Sequence, residues 1–151
     1  MDAQLTRDLI AEEYPMAERQ AQSLGLALRR HNPGEAETDL FVTYVAPDGE
    51  TYLLRLRCDG YDGIAPSFQF VNPGNTEETG AKWWPRFASM SHPRGDNDEI
   101  VFCVAGIREY HRHPQHLNDP RAKELWKLAR VVSLAWNYLN RNGPYVGRGA
   151  Q

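Results

Sequence analysis

The spacing of apolar and polar positions changes period along this chain and divides it into helix, sheet and helix. Leu5, Leu9 and Ile10, then Met16, Gln20 and Leu24, recur at helical spacing and predict an N-terminal helix. Pro15 lacks a backbone N–H, so a kink or a second helix is expected there. Gly25 is expected as the C-terminal cap. From Leu26 the period is two. Leu26 and Leu28 alternate with Ala27 and Arg29, and Leu40, Val42 and Tyr44 alternate with Phe41, Thr43 and Val45. Thr51 to Cys58 alternates again, with Tyr52, Leu54 and Leu56 opposite Leu53, Arg55 and Arg57. Ala46-Pro47-Asp48-Gly49 predicts a hairpin, because Pro fixes φ and Gly accepts positive φ. Ser67 to Val71 is a fourth short strand, closed by Asn72-Pro73-Gly74. Consecutive strands with short links predict an antiparallel meander.

After Gly74 the pattern is irregular. Asn75 to Gly80 is polar and expected at the surface. Ala81 to Asp98 carries Trp83, Trp84, Pro85, Phe87 and Pro93, too apolar for a solvated loop, and is expected to fold back onto the sheet. Ile100 to Ala105 fits either a buried strand or a tucked-in segment. His111 to Pro120 reads as loop, and Asp119-Pro120 as an N-cap with Pro at the first helical position. Leu125, Leu128, Val132, Trp136 and Leu139 predict one helix of ~20 residues ending near Asn142-Gly143. The fold class is therefore α+β: a four-stranded antiparallel sheet with helices on one side, one domain over 1–143, and a flexible tail over 144–151.

Composition narrows the function classes. With 151 residues, 41% of them hydrophobic, the chain fits a single core that needs no disulfide or metal to fold. A net charge of −3 argues against a nucleic-acid partner. Cys58 and Cys103 make no disulfide scaffold and read as free thiols in a reducing compartment. Met1 to Tyr14 has no apolar h-region, and no apolar run approaches ~18 residues. A cytoplasmic protein without a signal peptide or membrane span is expected.

Cys103 is the first candidate for chemistry. A thiolate is an effective nucleophile near neutral pH, and a thioester keeps an acyl group reactive toward amines. In the run Val101-Phe102-Cys103-Val104-Ala105 the local sequence by itself favours a small buried apolar residue, since free Cys is often buried. Cys58 ends a strand with no nearby histidine and reads as buried. His111, His113 and His116, with His92 upstream, form a second cluster. Cys103 with two of them would suit zinc, although the spacings match no common zinc signature. The same histidines fit a polar loop, or one of them a general base beside Cys103. Asp96-Asn97-Asp98-Glu99 is either a solvated turn or, beside a reactive Cys, an orienter of an incoming amine. Phosphate loops, serine-hydrolase elbows and paired-carboxylate motifs are absent, and no cofactor is implied.

Taken in order, these features resemble the ubiquitin-conjugating enzyme family over roughly residues 3–142. Leu54 to Cys58 is similar to the family's third strand. Asp59-Gly60-Tyr61-Asp62-Gly63-Ile64-Ala65-Pro66-Ser67-Phe68-Gln69-Phe70 is similar to its Tyr-Pro turn and fourth strand. His92-Pro93 resembles the start of its His-Pro-Asn motif, and Cys103 falls within one residue of the catalytic position. Arg94 stands where the family has Asn, Asp62 follows Tyr61 where it has Pro, and Val104 follows Cys103 where it has Leu. The similarity is greatest to divergent bacterial members that sit beside ubiquitin-like modifiers, some of them in antiphage defence. The resemblance implies that Cys103 accepts a ubiquitin-like protein as a thioester from an activating enzyme and passes it to a lysine amine on a target protein. It implies that His92 holds the active-site loop, that Asn97 stands in as oxyanion donor, and that Asp98 or Glu99 positions the amine. Ser89 or Ser91 is the alternative acyl carrier, as an oxyester. Two other readings stay open: a non-catalytic module of the same fold that binds a ubiquitin-like protein, and a small metal-binding hydrolase using His111, His113 and His116.

Overall fold

A computed structural model describes residues 2–89 and 104–149. Asp2 opens helix α1 (Ala3–Ser23), its carboxylate accepting from the backbone N–H of Gln4 at 2.8 Å and of Leu5 at 3.2 Å. Those are donors that a helix start cannot satisfy internally. α1 runs through Pro15 without ending, so of the two outcomes expected there, a kink or a second helix, the second helix does not form. Pro15 and Ala11 both face solvent, where water can satisfy the carbonyl that Pro15 leaves without an N–H partner. The buried stripe is Thr6, Ile10, Ala17 and Ala21, whereas Leu5 and Met16 are exposed. Two alanines on that stripe suit close packing against a neighbouring helix.

Strands β1 (Ala27–Arg30), β2 (Asp39–Val45), β3 (Thr51–Arg57) and β4 (Ser67–Val71) form one antiparallel sheet in sequence order. The register stacks the period-two residues across strands. Val42 lies opposite Leu28 and Leu54, and Leu54 opposite Phe70. Leu40, Leu56 and Phe68 form the next row. This face joins Ile10, Ala17 and Ala21 of α1 and the apolar side of the last helix in one core. The other face carries a small cluster of Phe41, Leu53 and Val71. Beside that cluster, Arg29 lies over the Phe41 ring at 4.1 Å. The 46–49 turn closes as expected, Gly49 N–H donating to the Ala46 carbonyl at 2.9 Å.

After β4 the chain makes a 3-10 turn (Ala81–Trp83) and a short strand, β5 (Pro85–Phe87). As far as residue 89 it folds back as its composition requires. Trp84 is fully buried, its ring 5.1 Å from Phe70. Residues 90–98 of that expectation, and most of 100–105, lie outside the described residues.

The second half departs from expectation in four places. His111 lies in a helix, α2 (Arg108–Arg112), not in a loop. The single long helix is two, α3 (Ala122–Leu125) and α4 (Leu128–Asn140), because Lys127 is extended at ψ 140°. The break has a tertiary cause. The Glu13 carboxylate accepts the Leu128 N–H at 3.1 Å and the Lys127 Nζ at 3.2 Å, while Trp126 Nε1 donates to Asp62 at 3.0 Å. A carboxylate from α1 thus caps α4, where the helix dipole favours negative charge. Third, Tyr145–Arg148, expected within a flexible tail, forms β6 and pairs antiparallel with β5, Phe87 opposite Tyr145. α3 also starts later than Asp119-Pro120 predicts. Asp119 instead accepts the Arg121 N–H at 2.9 Å. No described helix is long and apolar enough to cross a membrane.

Candidate active site

Cys103, His92, Asn97 and Asp98, the residues assigned to chemistry from sequence, lie outside the described residues, as do Ser91 and Glu99. The structure describes the frame on either side of them. On the N-terminal side, Phe87 packs its ring 5.8 Å from Tyr138 of α4, and Ala88 N–H donates to the Pro144 carbonyl at 2.9 Å. Ser89 N–H donates to the Asn142 carbonyl at 3.1 Å. β5, α4 and the start of β6 therefore fix the chain up to residue 89, and Ser89 is exposed there.

On the C-terminal side a single guanidinium does most of the fixing. Arg108 is buried, and its Nε donates to the Ala65 carbonyl at 2.9 Å. Its Nη2 donates to the carbonyls of Arg57 and Asp59, each at 3.1 Å, and to the Asp59 carboxylate at 2.7 Å. Its backbone N–H donates to the Pro66 carbonyl at 2.9 Å. One side chain thus ties the chain after residue 103 to the end of β3, the turn and the start of β4. Charge-assisted bonds of this kind are the strong ones. Ser67 Oγ donates to Glu109, whose carboxyl is pushed above its usual range by burial.

His111 belongs to the same frame. Its Nε2 accepts the Gly106 N–H at 3.0 Å, so that nitrogen is occupied as an acceptor. Burial holds its pKa below the ordinary histidine value, which favours the neutral ring this bond needs. Tyr110 and His116 stack at 3.9 Å, and the His113 and His116 rings lie 5.5 Å apart. The His113 and His116 rings are tilted by 39°, and Tyr110 meets the His111 ring edge to face at 82°. Among the described residues no group of three His, Cys, Asp or Glu side chains is placed to hold a metal ion, and Cys103, which would complete a set with two of these histidines, lies outside them.

Cys58 is as its sequence setting suggested. It is fully buried, and its Sγ lies 3.5 Å from the Leu56 carbonyl. Burial pushes its thiol far above the ordinary range, with Asp39 adding to the rise. A thiol in that state is neither accessible nor ionised near neutral pH. Of the two cysteines in the sequence, only Cys103 remains for thiol chemistry.

Sequence reasoning missed Arg108 and Glu13. The acceptors of Arg108 are mainly backbone carbonyls, and carbonyls leave no mark in a sequence. Glu13 sits in an ordinary charged helix, and its partner Leu128 is distant along the chain. A shallow open groove of about 360 Å³ between α1 and α4 is lined by Gln20, Arg130, Ser133 and Asn137, with no titratable cluster suited to catalysis. No protein-family model and no curated protein matches this chain.

Proposed function

We propose that this protein is a carrier and transferase for a ubiquitin-like protein, similar in design to the ubiquitin-conjugating enzymes. The Cys103 thiolate attacks the carbonyl carbon of the modifier's thioester, and the activating enzyme's thiolate leaves. The neutral amine of a target lysine then attacks the new thioester. The carbon–sulfur bond breaks, Cys103 leaves as thiolate, and the amine proton passes to Asp98, Glu99 or water. Each tetrahedral step needs donors aimed at the oxyanion, supplied in this reading by backbone N–H groups or by Asn97. His92 holds the loop.

The observation that carries this reading is the burial of Cys58, which leaves Cys103 as the candidate thiol. The element order supports it. Helix, four-stranded meander and C-terminal helices bracket the His92-Pro93 to Cys103 segment, and its two flanks are anchored by β5 with β6 and by Arg108. A brief treatment of the native protein with iodoacetamide, followed by peptide mapping, tests it. Cys103 is expected to be alkylated and Cys58 protected until the protein unfolds. Modification of Cys58 with Cys103 untouched would remove the basis of the mechanism.

A further inference from the structure

β6 is seated by means that go beyond strand pairing. Three successive residues each meet a separate stereochemical demand. Gly147 has φ +117°, a conformation that side-chain-bearing residues rarely adopt. The Arg148 guanidinium lies 4.7 Å from the Tyr52 ring centre and 5.6 Å from that of Trp83. It donates to the Lys82 carbonyl at 3.0 Å and to the Glu50 carboxylate. Gly149 donates its N–H to the Trp84 carbonyl at 2.8 Å. A Cβ on Gly149 would fall 1.8 Å from the Ala81 carbonyl oxygen, so no side chain fits there. Tyr145 completes the seat, its hydroxyl bonded to those of Tyr52 at 2.5 Å and to the Asp48 carboxylate at 2.9 Å.

The walls of this slot come from elsewhere in the chain. Asp48 and Glu50 lie in the hairpin, Tyr52 on β3, and Ala81 to Trp84 in the 3-10 turn that Phe70 and Tyr138 hold from below. The ribbon that β6 forms is small, three residues of β5 against four of β6, and Val146 points to solvent. A two-stranded ribbon of that size is marginal by itself. What holds it is backbone hydrogen bonding, a charge pocket and two glycine-only positions. Main-chain hydrogen bonds together with a pocket for a particular side chain are also how an extended peptide is recognised when it adds as a strand.

We propose that the slot is a binding site for an extended Gly-Arg-Gly segment of a second protein, and that β6 fills it in cis. The two rings and the carboxylate select arginine, because a planar guanidinium stacks and forks where an ammonium does not. The two glycine positions select the residues on either side of it. β6 is then an intramolecular competitor that a partner peptide must displace. This inference rests on the slot alone and is independent of the chemistry assigned to Cys103.

The test uses the full chain with Gly149→Val, which cannot seat β6, and a fluorescein-labelled peptide Pro-Tyr-Val-Gly-Arg-Gly. In wild type a tethered strand acts at an effective concentration on the order of millimolar. Saturable binding, read by anisotropy, is therefore expected to be at least about tenfold tighter to Gly149→Val than to wild type. Replacing the peptide's Arg by Lys, or its last Gly by Val, is expected to weaken binding at least about tenfold. A thermal melt shows that the variant is folded. If Gly149→Val does not fold, Arg148→Ala empties the same pocket without steric intrusion and serves in its place. No saturable binding to a folded variant, or equal binding of the Arg and Lys peptides, overturns the proposal. So does a concentration-dependent dimer in sedimentation, which would assign the slot to a second copy of this chain.

Discussion

Asp39 shows how one residue's environment sets its behaviour. It stands on the outer face of the sheet beside Arg55 and Arg57, yet its side chain is 2% exposed and the Arg57 Nε is 3.8 Å away. Burial pushes its carboxyl up to about 6, against the pull of Arg57 and Arg55. The consequence for stability has a definite sign. The folded state binds this proton more tightly than the unfolded chain, whose carboxyl titrates near 3.8. The stabilisation is complete below pH 3.8 and is lost as pH rises through 6. Asp39→Asn mimics the neutral form at every pH. It is expected to stabilise the protein at pH 8, on the order of 3 kcal/mol for a shift of about two pH units, with the advantage shrinking toward zero near pH 4. Urea denaturation at pH 4, 6 and 8 reads this directly. An advantage that does not change with pH would mean that the carboxylate is not the source of the cost.

The elements meet at Glu13. Its carboxylate takes the Tyr61 hydroxyl at 2.5 Å and the Leu128 N–H at 3.1 Å, joining α1, the turn after β3 and the start of α4. The same carboxylate forms an ion pair with Lys127, whose side chain is 48% exposed. The hydrogen bonds and the ion pair should differ in worth. Glu13→Ala strands a backbone donor and a hydroxyl in partly buried places and is expected to cost about 2–3 kcal/mol. Lys127→Ala removes half-exposed ion pairs to Glu13 and, at 3.6 Å, to Asp62, and is expected to cost under about 1 kcal/mol. Equal losses in denaturant midpoint would show that the ion pair, not the cap, holds α4. This junction also explains why the sequence suggested one long helix where there are two. Leu125, Leu128 and Val132 keep helical spacing straight through the break, and the group that makes the break is on α1.

At the scale of the whole molecule, legibility follows the range of the interactions. The meander was legible because the alternation of Leu40 to Val45 and Thr51 to Arg57, and the Pro47-Asp48-Gly49 turn, are local signals. The folding back of Trp84 and Phe87 was legible because aromatic residues of that size need a core. β6 was not. Tyr145 to Gly149 is short and glycine-rich, and it becomes a strand only through β5, Tyr52 and Glu50. At the candidate site, the inertness of Cys58 could be read from its place at a strand end without a histidine. The Arg108 anchor could not. Spacing along the chain did not show where the rings of His111, His113 and His116 point, nor that His111 accepts the Gly106 N–H.

The central claim, that Cys103 carries an acyl group, is tested most directly by replacing its sulfur. Wild type, Cys103→Ser and Cys103→Ala are each incubated with the activating enzyme, the modifier and ATP, and resolved on non-reducing gels. A hydroxyl forms an oxyester that amines attack more slowly than a thioester, and alanine has no nucleophile. Wild type is expected to show a modifier-bearing band that reductant removes. Cys103→Ser is expected to show a band that survives reductant but not mild base, and Cys103→Ala no band. A labile modifier adduct on Cys103→Ala would contradict the account and direct attention to Ser91 and Ser89.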